Sequence, residues 1–163
     1  MSAAPDREHV IGIISDTHGL VRPDVHTALA GVELILHAGD VGGQDILMEL
    51  GLIAPVRAVF GNTDAPGEPG LAEAIEVMIG GVTIHVSHGH EVGSPSAAKL
   101  LDRYAADVIV FGHTHRPLVA RAGGRLVLNP GAAGPRRFDI LPSVARLTIA
   151  GGRVDAELVA LRA

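Results

Sequence analysis

The chain has 163 residues and a mass of 16.8 kDa, the size of one domain, residues 1–163, with little room for a second. Its 47% hydrophobic and 19% charged residues exclude a disordered chain, and its 2% aromatic residues exclude the stacking platforms that hold single-stranded nucleic acid. A net charge of -5 argues against binding to a nucleic-acid backbone or an anionic membrane.

In chain order, Val10 to Ser15 (VIGIIS) is an apolar run with a polar end and predicts a buried strand. Leu34 to His37 and Val56 to Phe60 read the same way. Asp24 to Ala30 and Gln44 to Leu52 fall between them as short helices, the first announced by Pro23-Asp24. This alternation is the pattern of an α/β sheet. Next comes a predicted hairpin, Ala74 to Ile79 and Val82 to Ser87, turning at Gly80-Gly81. Ser94 and Pro95 predict the N-cap and first position of a helix running through Tyr104. Val108 to Phe111 is another buried strand. Leu118 to Arg121, Arg125 to Leu128, Ser143 to Ala150 and Arg153 to Ala160 follow, with Gly-Gly pairs as turns. About ten strands exceed one small sheet. The expected fold is therefore α/β, with two sheets packed face to face and helices outside.

The chain contains no Cys, which excludes disulfides, zinc-thiolate sites and thiol catalysis, yet it carries nine His. No apolar run approaches the ~20 residues needed to span a bilayer. The first residues, MSAAPDREHV, lack the apolar stretch of a signal peptide, so a cytoplasmic location is expected. Polar residues gather at the strand ends: Asp16 and His18, then Asp40, Asn62, His88, and His113 with His115. They recur at intervals of roughly 25 residues, about one strand and its return connection, so all can reach one edge of the fold. Glycines flank most of these clusters and are expected to let the backbone turn and aim the next side chain. On an extended segment, His113 and His115 would share a face. Two Asp, one Asn and four His are too many donors for one tetrahedral zinc, but they suit two divalent cations sharing a carboxylate. The formal positive excess then favours an anionic substrate such as a phosphate ester.

Asp16-Thr17-His18, Gly39-Asp40, Gly61-Asn62-Thr63-Asp64, His88-Gly89-His90 and Gly112-His113-Thr114-His115 resemble, in order, the five blocks of calcineurin-like metallophosphoesterases. The short length and Asn129-Pro130-Gly131 resemble the small prokaryotic phosphodiesterase branch, to which a retromer scaffold subunit is related. The resemblance implies a four-layer fold of two mixed sheets flanked by helices. It implies one metal held by Asp16, His18, Asp40 and His115, and another by Asp40, Asn62, His88 and His113, with Asp40 as the bridge. Mn is the expected metal, with Zn, Fe, Ni and Co as alternatives. A metal-bridging hydroxide would hydrolyse a small phosphodiester, with Asp40, Asn62 and His88 central to the reaction. A phosphomonoesterase and a non-catalytic metal-binding scaffold are the rival readings. The resemblance also implies a homo-oligomer.

Taken singly, Asp or Asn beside Gly is a turn residue more often than a ligand. His90 is read as orienting His88 or touching substrate, and Asn129 as shaping its turn. Asp64 is expected to accept backbone amides and hold the Asn62 loop. His37 is read as packed behind the site, and Thr17 and Thr114 as supporting residues. His9, His26 and His85 are read as surface or strand-face histidines. Arg22, Arg136 and Arg137 are read as solvated, with the pair at 136–137 able to meet substrate or another subunit. Many family members carry His directly after the Asn of the third block; here it is Thr63, which cannot act as a general acid. Thr63→His is therefore expected to speed esters with poor leaving groups, where a positioned acid is worth ~10²–10⁴-fold.

Overall fold

A computed structural model describes residues 7–65, 67–137 and 139–162. Residues 1–6, part of the segment in which no leader was read, lie outside them. Eleven strands form two mixed sheets among the described residues. The first sheet has the order β11 (Arg153–Ala160), β10 (Ser143–Ala150), β1 (His9–Ile14), β2 (Leu34–His37), β3 (Val56–Val59), β4 (Leu71–Ala72). The second has the order β5 (Ile75–Ile79), β6 (Val82–Val86), β7 (Val108–Val110), β9 (Arg125–Asn129), β8 (Leu118–Ala122). β1, β2, β3 and β4 run parallel, as do β6, β7 and β9, while the hairpin partners at the edges run antiparallel.

Both faces of the central strands are buried, which is why their sequences read as continuous apolar runs. Alternation still sorts the side chains. Ile11, Ile13 and Leu36 face Val86, Val108, Val110, Leu126 and Leu128 across the space between the sheets. Ile14 and Ile35 point the other way and pack under α1 (Asp24–Ala28) and α2 (Gln44–Leu50) through Val25, Ile46 and Leu50. Ile109, Phe111 and Val127 pack under Leu100 of α3 (Ala97–Arg103) on the outer face of the second sheet. The result is helix, sheet, sheet, helix, the four layers expected.

Two local expectations are corrected. α3 starts two residues later than read, because Ser96 rather than Ser94 adopts the extended cap conformation and accepts from Lys99 N at 3.2 Å. The two-residue β4 was not anticipated; its only sequence signal is Leu71-Ala72 beside the apolar end of β3.

The parallel strands of both sheets end at the same edge. There main-chain bonds join the loop after β1 to the loop after β2, and the loop after β7 to the loop after β6. Asp16 N donates to Gly39 O at 2.9 Å, His18 N to Asp40 O at 3.0 Å, and Gly112 N to His88 O at 2.9 Å.

Candidate metal centre

The loop residues that close this edge have unusual backbones. Asp16, His18, Asp40, His113 and His115 all have positive φ, between 45° and 73°. Asp and His tolerate this left-handed region better than most side chains, but each instance still costs about 1 kcal/mol or more. Positive φ at His113 and His115 corrects the extended-segment reading: both rings reach the site, by tight turns rather than by strand alternation. Glycine's role is corrected in the same way. Gly39 has positive φ, at 103°, but Gly61 and Gly112 do not. Those two are glycines because neighbouring chain passes too close for a Cβ: one on Gly61 would lie 2.1 Å from Asp40 Oδ1, and one on Gly112 2.0 Å from Ser15 Oγ.

Each aspartate is held by one oxygen and offers the other. Asp16 Oδ2 accepts from Ser15 Oγ at 2.7 Å and from His113 N at 3.1 Å. Its Oδ1 is buried without a hydrogen bond, 3.4 Å from His115 Nε2 and 3.8 Å from His18 Nε2. Asp40 Oδ1 accepts from Thr63 N at 2.9 Å and Thr63 Oγ1 at 2.7 Å. Asp40 Oδ2 lies 3.2 Å from His88 Nε2 and 3.6 Å from His18 Nε2. Asp16, His18, Asp40 and His115 each bring a donor atom within 4.8 Å of the others. Beside them Asn62 Oδ1 lies 3.1 Å from both His88 Nε2 and His113 Nδ1.

This is a crowd of lone pairs. His88 Nδ1 lies 2.7 Å from Ala38 O, and a carbonyl only accepts, so Nδ1 carries the proton. Neutral His88 therefore aims the lone pair of Nε2 at Asp40 and Asn62, the tautomer a metal ligand needs. Without a cation the conflict is relieved by protonation: burial opposes the charge on His88, but its bond to Asp40 and the Asp16 charge outweigh that and raise its pKa. Burial likewise pushes Asp40 up, and His88 and Thr63 more than offset it, holding the carboxyl well below the usual range. Burial lowers His18 and His113, keeping both neutral and able to ligate. The orphaned Asp16 Oδ1 and the nitrogen-oxygen donor set fit divalent cations.

A family model for the calcineurin-like phosphoesterase superfamily domain matches residues 10–152. The chain belongs to the calcineurin-like phosphoesterase superfamily. It is 37% identical to a probable metallophosphoesterase of Methanothermobacter thermautotrophicus, over 92% of this chain and 91% of that one. It is 30% identical to a phosphodiesterase of Methanocaldococcus jannaschii, over 74% of this chain and 82% of that one. Among solved structures, wild-type Vps29 of Entamoeba histolytica complexed with zinc superposes with a TM-score of 0.73 at 26% identity, covering 93% of this chain and 98% of that one. Membership explains the metal-ligating character of the site. Among the described residues no helix is long and apolar enough to cross a membrane.

Around this superfamily centre stand residues of several kinds. Asp64 accepts from Val41 N, Gly42 N and Gly61 N at 2.9–3.1 Å, clamping the Asp40 loop to the Asn62 loop. Asn129 donates to Gly112 O and Thr114 Oγ1 and accepts from Gly131 N, tying its turn to the His113 loop. Arg22 is not simply solvated, since its Nε donates to Gly134 O at 3.0 Å. Arg136 and Arg137 line a small hollow beside His115. Ser15 was missed by the sequence reading, because its only signal is being the last residue of an apolar run. His85 was undervalued. It is 3% exposed, stacks on Tyr104 with ring centroids 3.7 Å apart, and bonds Glu76 and Ser87.

Thr63 holds Asp40 rather than facing outward, and this revises the Thr63→His expectation. Imidazole at 63 removes the hydroxyl bond to Asp40, so any gain on poor leaving groups comes with a weaker site. Thr63→Val keeps the backbone donor and loses only the hydroxyl. It is expected to lower Mn affinity about 10–100-fold, the usual effect of removing a ligand's supporting bond, while Thr63→Ser keeps it. Calorimetric titration of the two variants with Mn checks this.

His37 gives a pH signature. It is fully buried; Gly39 N donates to its Nδ1 at 3.1 Å, and Thr17 Oγ1, whose own proton goes to Val41 O, lies 2.9 Å from its Nε2. Neutral His37 satisfies every one of these bonds, and burial lowers its pKa to about 4. The unfolded chain takes up this proton first, so the stabilisation is present above pH ~6.5 and lost as pH falls toward 4. The expected loss is roughly 3 kcal/mol. Urea unfolding of metal-free protein should show it, and His37→Gln should flatten the slope in that window.

Proposed function

We propose that the chain hydrolyses small phosphodiesters with two divalent cations. Asp16, His18, Asp40 and His115 would hold one, and Asp40, Asn62, His88 and His113 the other. The observation that carries this is Asp40 Oδ2, which lies between His18 Nε2 and His88 Nε2 while Thr63 fixes the other oxygen. When bound, such a pair lowers the pKa of water toward neutrality and offsets charge on the phosphoryl oxygens.

The chain's own residues set orientation and polarity. Ala38 O fixes the His88 tautomer, and Ser15 and His113 N fix the angle of Asp16. Asn62 is exposed and turns its carbonyl toward His88 and His113, so its amide Nδ2 is open to donate to a phosphoryl oxygen as charge builds there. Asp16, Asp40, His88 and His115 are buried, whereas His113 and His18 are partly exposed, so substrate meets the centre from the solvent side. The phosphodiesterase relative of M. jannaschii supports a diester over a monoester.

The test is hydrolysis of bis(p-nitrophenyl) phosphate and p-nitrophenyl phosphate by chelator-stripped protein with Mn restored. The expected result is Mn-dependent turnover that favours the diester. Preference for the monoester would move the reading to a phosphomonoesterase. No turnover of either would favour a scaffold.

A further inference from the structure

Beside the Asn62, His88 and His113 side of the centre lies a cavity of about 440 Å³. It is bounded by the end of β3, the β4–β5 link, the end of β6 and the C-terminus of α3. The chain has only three Phe and one Tyr, yet Phe60 and Tyr104 both line this space. Phe60 is half-buried and belongs to none of the apolar cores, so packing does not account for it. Tyr104 is fixed from behind by its stack on His85 and by its hydroxyl, which donates to Glu91 at 2.7 Å. Glu91 is in turn consumed by Ser87 Oγ and Gly89 N, and these bonds lower its pKa against the effect of burial. The wall is therefore rigid and internally satisfied.

Two polar groups at the cavity, Glu73 and Arg103, remain for a ligand, and His90 separates the cavity from the centre. The His90 ring lies 5.3 Å from that of His88 and 6.3 Å from that of His113. Its Nδ1 is buried without a partner. Exposed Glu73 and Arg103 stand at the rim, and the Arg103 guanidinium lies 5.4 Å from the Tyr104 ring centre. An aromatic wall, a carboxylate acceptor and a guanidinium donor match a planar heterocycle carrying both donors and acceptors. The volume lies within the usual range for small-ligand sites. A nucleic-acid strand does not fit a net charge of -5, whereas a single nucleoside asks for no basic track.

We propose that this cavity takes the nucleoside of a nucleoside phosphodiester, with the base against Phe60 and Tyr104 and the phosphate over the adjoining centre. The inference rests on the phosphodiesterase reading above. It predicts that the p-nitrophenyl ester of thymidine 5′-monophosphate has a lower KM than methyl p-nitrophenyl phosphate. Phe60→Ala is expected to erase about tenfold of that preference, the usual scale of one base-aromatic stack, and Arg103→Ala a smaller part. An unchanged KM ratio in both variants would overturn the proposal. A second readout needs neither metal nor turnover. Tyr104 is the sole Tyr, so its ring resonances are assigned without ambiguity. Adenosine titrated into chelator-treated protein should shift them saturably, and Phe60→Ala should abolish the shift. No shift at millimolar adenosine would overturn the proposal. If neither ester is hydrolysed, the phosphodiesterase reading fails and the adenosine titration alone decides the cavity.

Discussion

Asp40→Asn is expected to lower the proposed phosphodiester turnover by roughly 10³-fold or more and to leave the fold intact. The two halves of that expectation come from the two oxygens of one side chain. Oδ1 accepts both Thr63 bonds, and an amide oxygen does the same. The other atom becomes an NH₂ facing His88 Nε2 and His18 Nε2 where a carboxylate oxygen stood. In the metal-free protein that donor meets the lone pair of neutral His88 Nε2, so a neutral hydrogen bond replaces the charged one. Thermal stability in chelator should therefore hold or rise. A cation, by contrast, loses a negative charge and meets N–H groups instead of oxygen. Turnover, Mn content and melting temperature measured on one preparation check all three. Wild-type turnover in a variant with wild-type stability would remove Asp40 from the mechanism.

Gly61→Ala is expected to destabilise the protein by about 3 kcal/mol, toward the upper end for overpacking, and to lower the melting temperature by about 10 °C. The added Cβ would lie 2.4 Å from Asp40 N and 2.7 Å from Asp40 Cγ. Neither atom is the free end of a flexible chain. Asp40 N belongs to a loop tied through Asp40 O to His18 N, and Asp64 bonds the flanking amides. The loops after β2 and β3 must separate, which pulls Asn62 away from Asp40. Gly124→Ala is the control. Its φ is +82° but a Cβ there meets nothing, so it costs only the left-handed penalty of about 1 kcal/mol. Equal losses for the two variants in urea unfolding would mean that conformational freedom, not close approach, explains Gly61.

Much of this architecture is legible in the residue order. β2, β10 and β11 begin and end where the sequence places them, because Gly-Gly turns and short apolar runs leave little freedom in register. α3 was misplaced by two residues because Ser94-Pro95 and Ser96 both carry start signals, and only the backbone conformation chooses between them. That Asp16, His18, Asp40, Asn62, His88, His113 and His115 meet at one edge was legible from their order and their place at strand ends. The means of their convergence was not legible. Positive φ at five non-glycine residues and the close passes at Gly61 and Gly112 are tertiary facts without a local signal. The bonds made by Ser15, His85 and Glu91 were not legible either. His85 and Glu91 bond partners that the fold brings near, Glu76 and Tyr104, whereas Ser15 bonds the adjacent Asp16.

The most direct test of the central claim is anomalous diffraction from crystals of the protein loaded with Mn. Two peaks are expected ~3.5–4 Å apart, flanking Asp40, one beside Asp16, His18 and His115 and the other beside Asn62, His88 and His113. A single peak, or two that do not share Asp40, would contradict it.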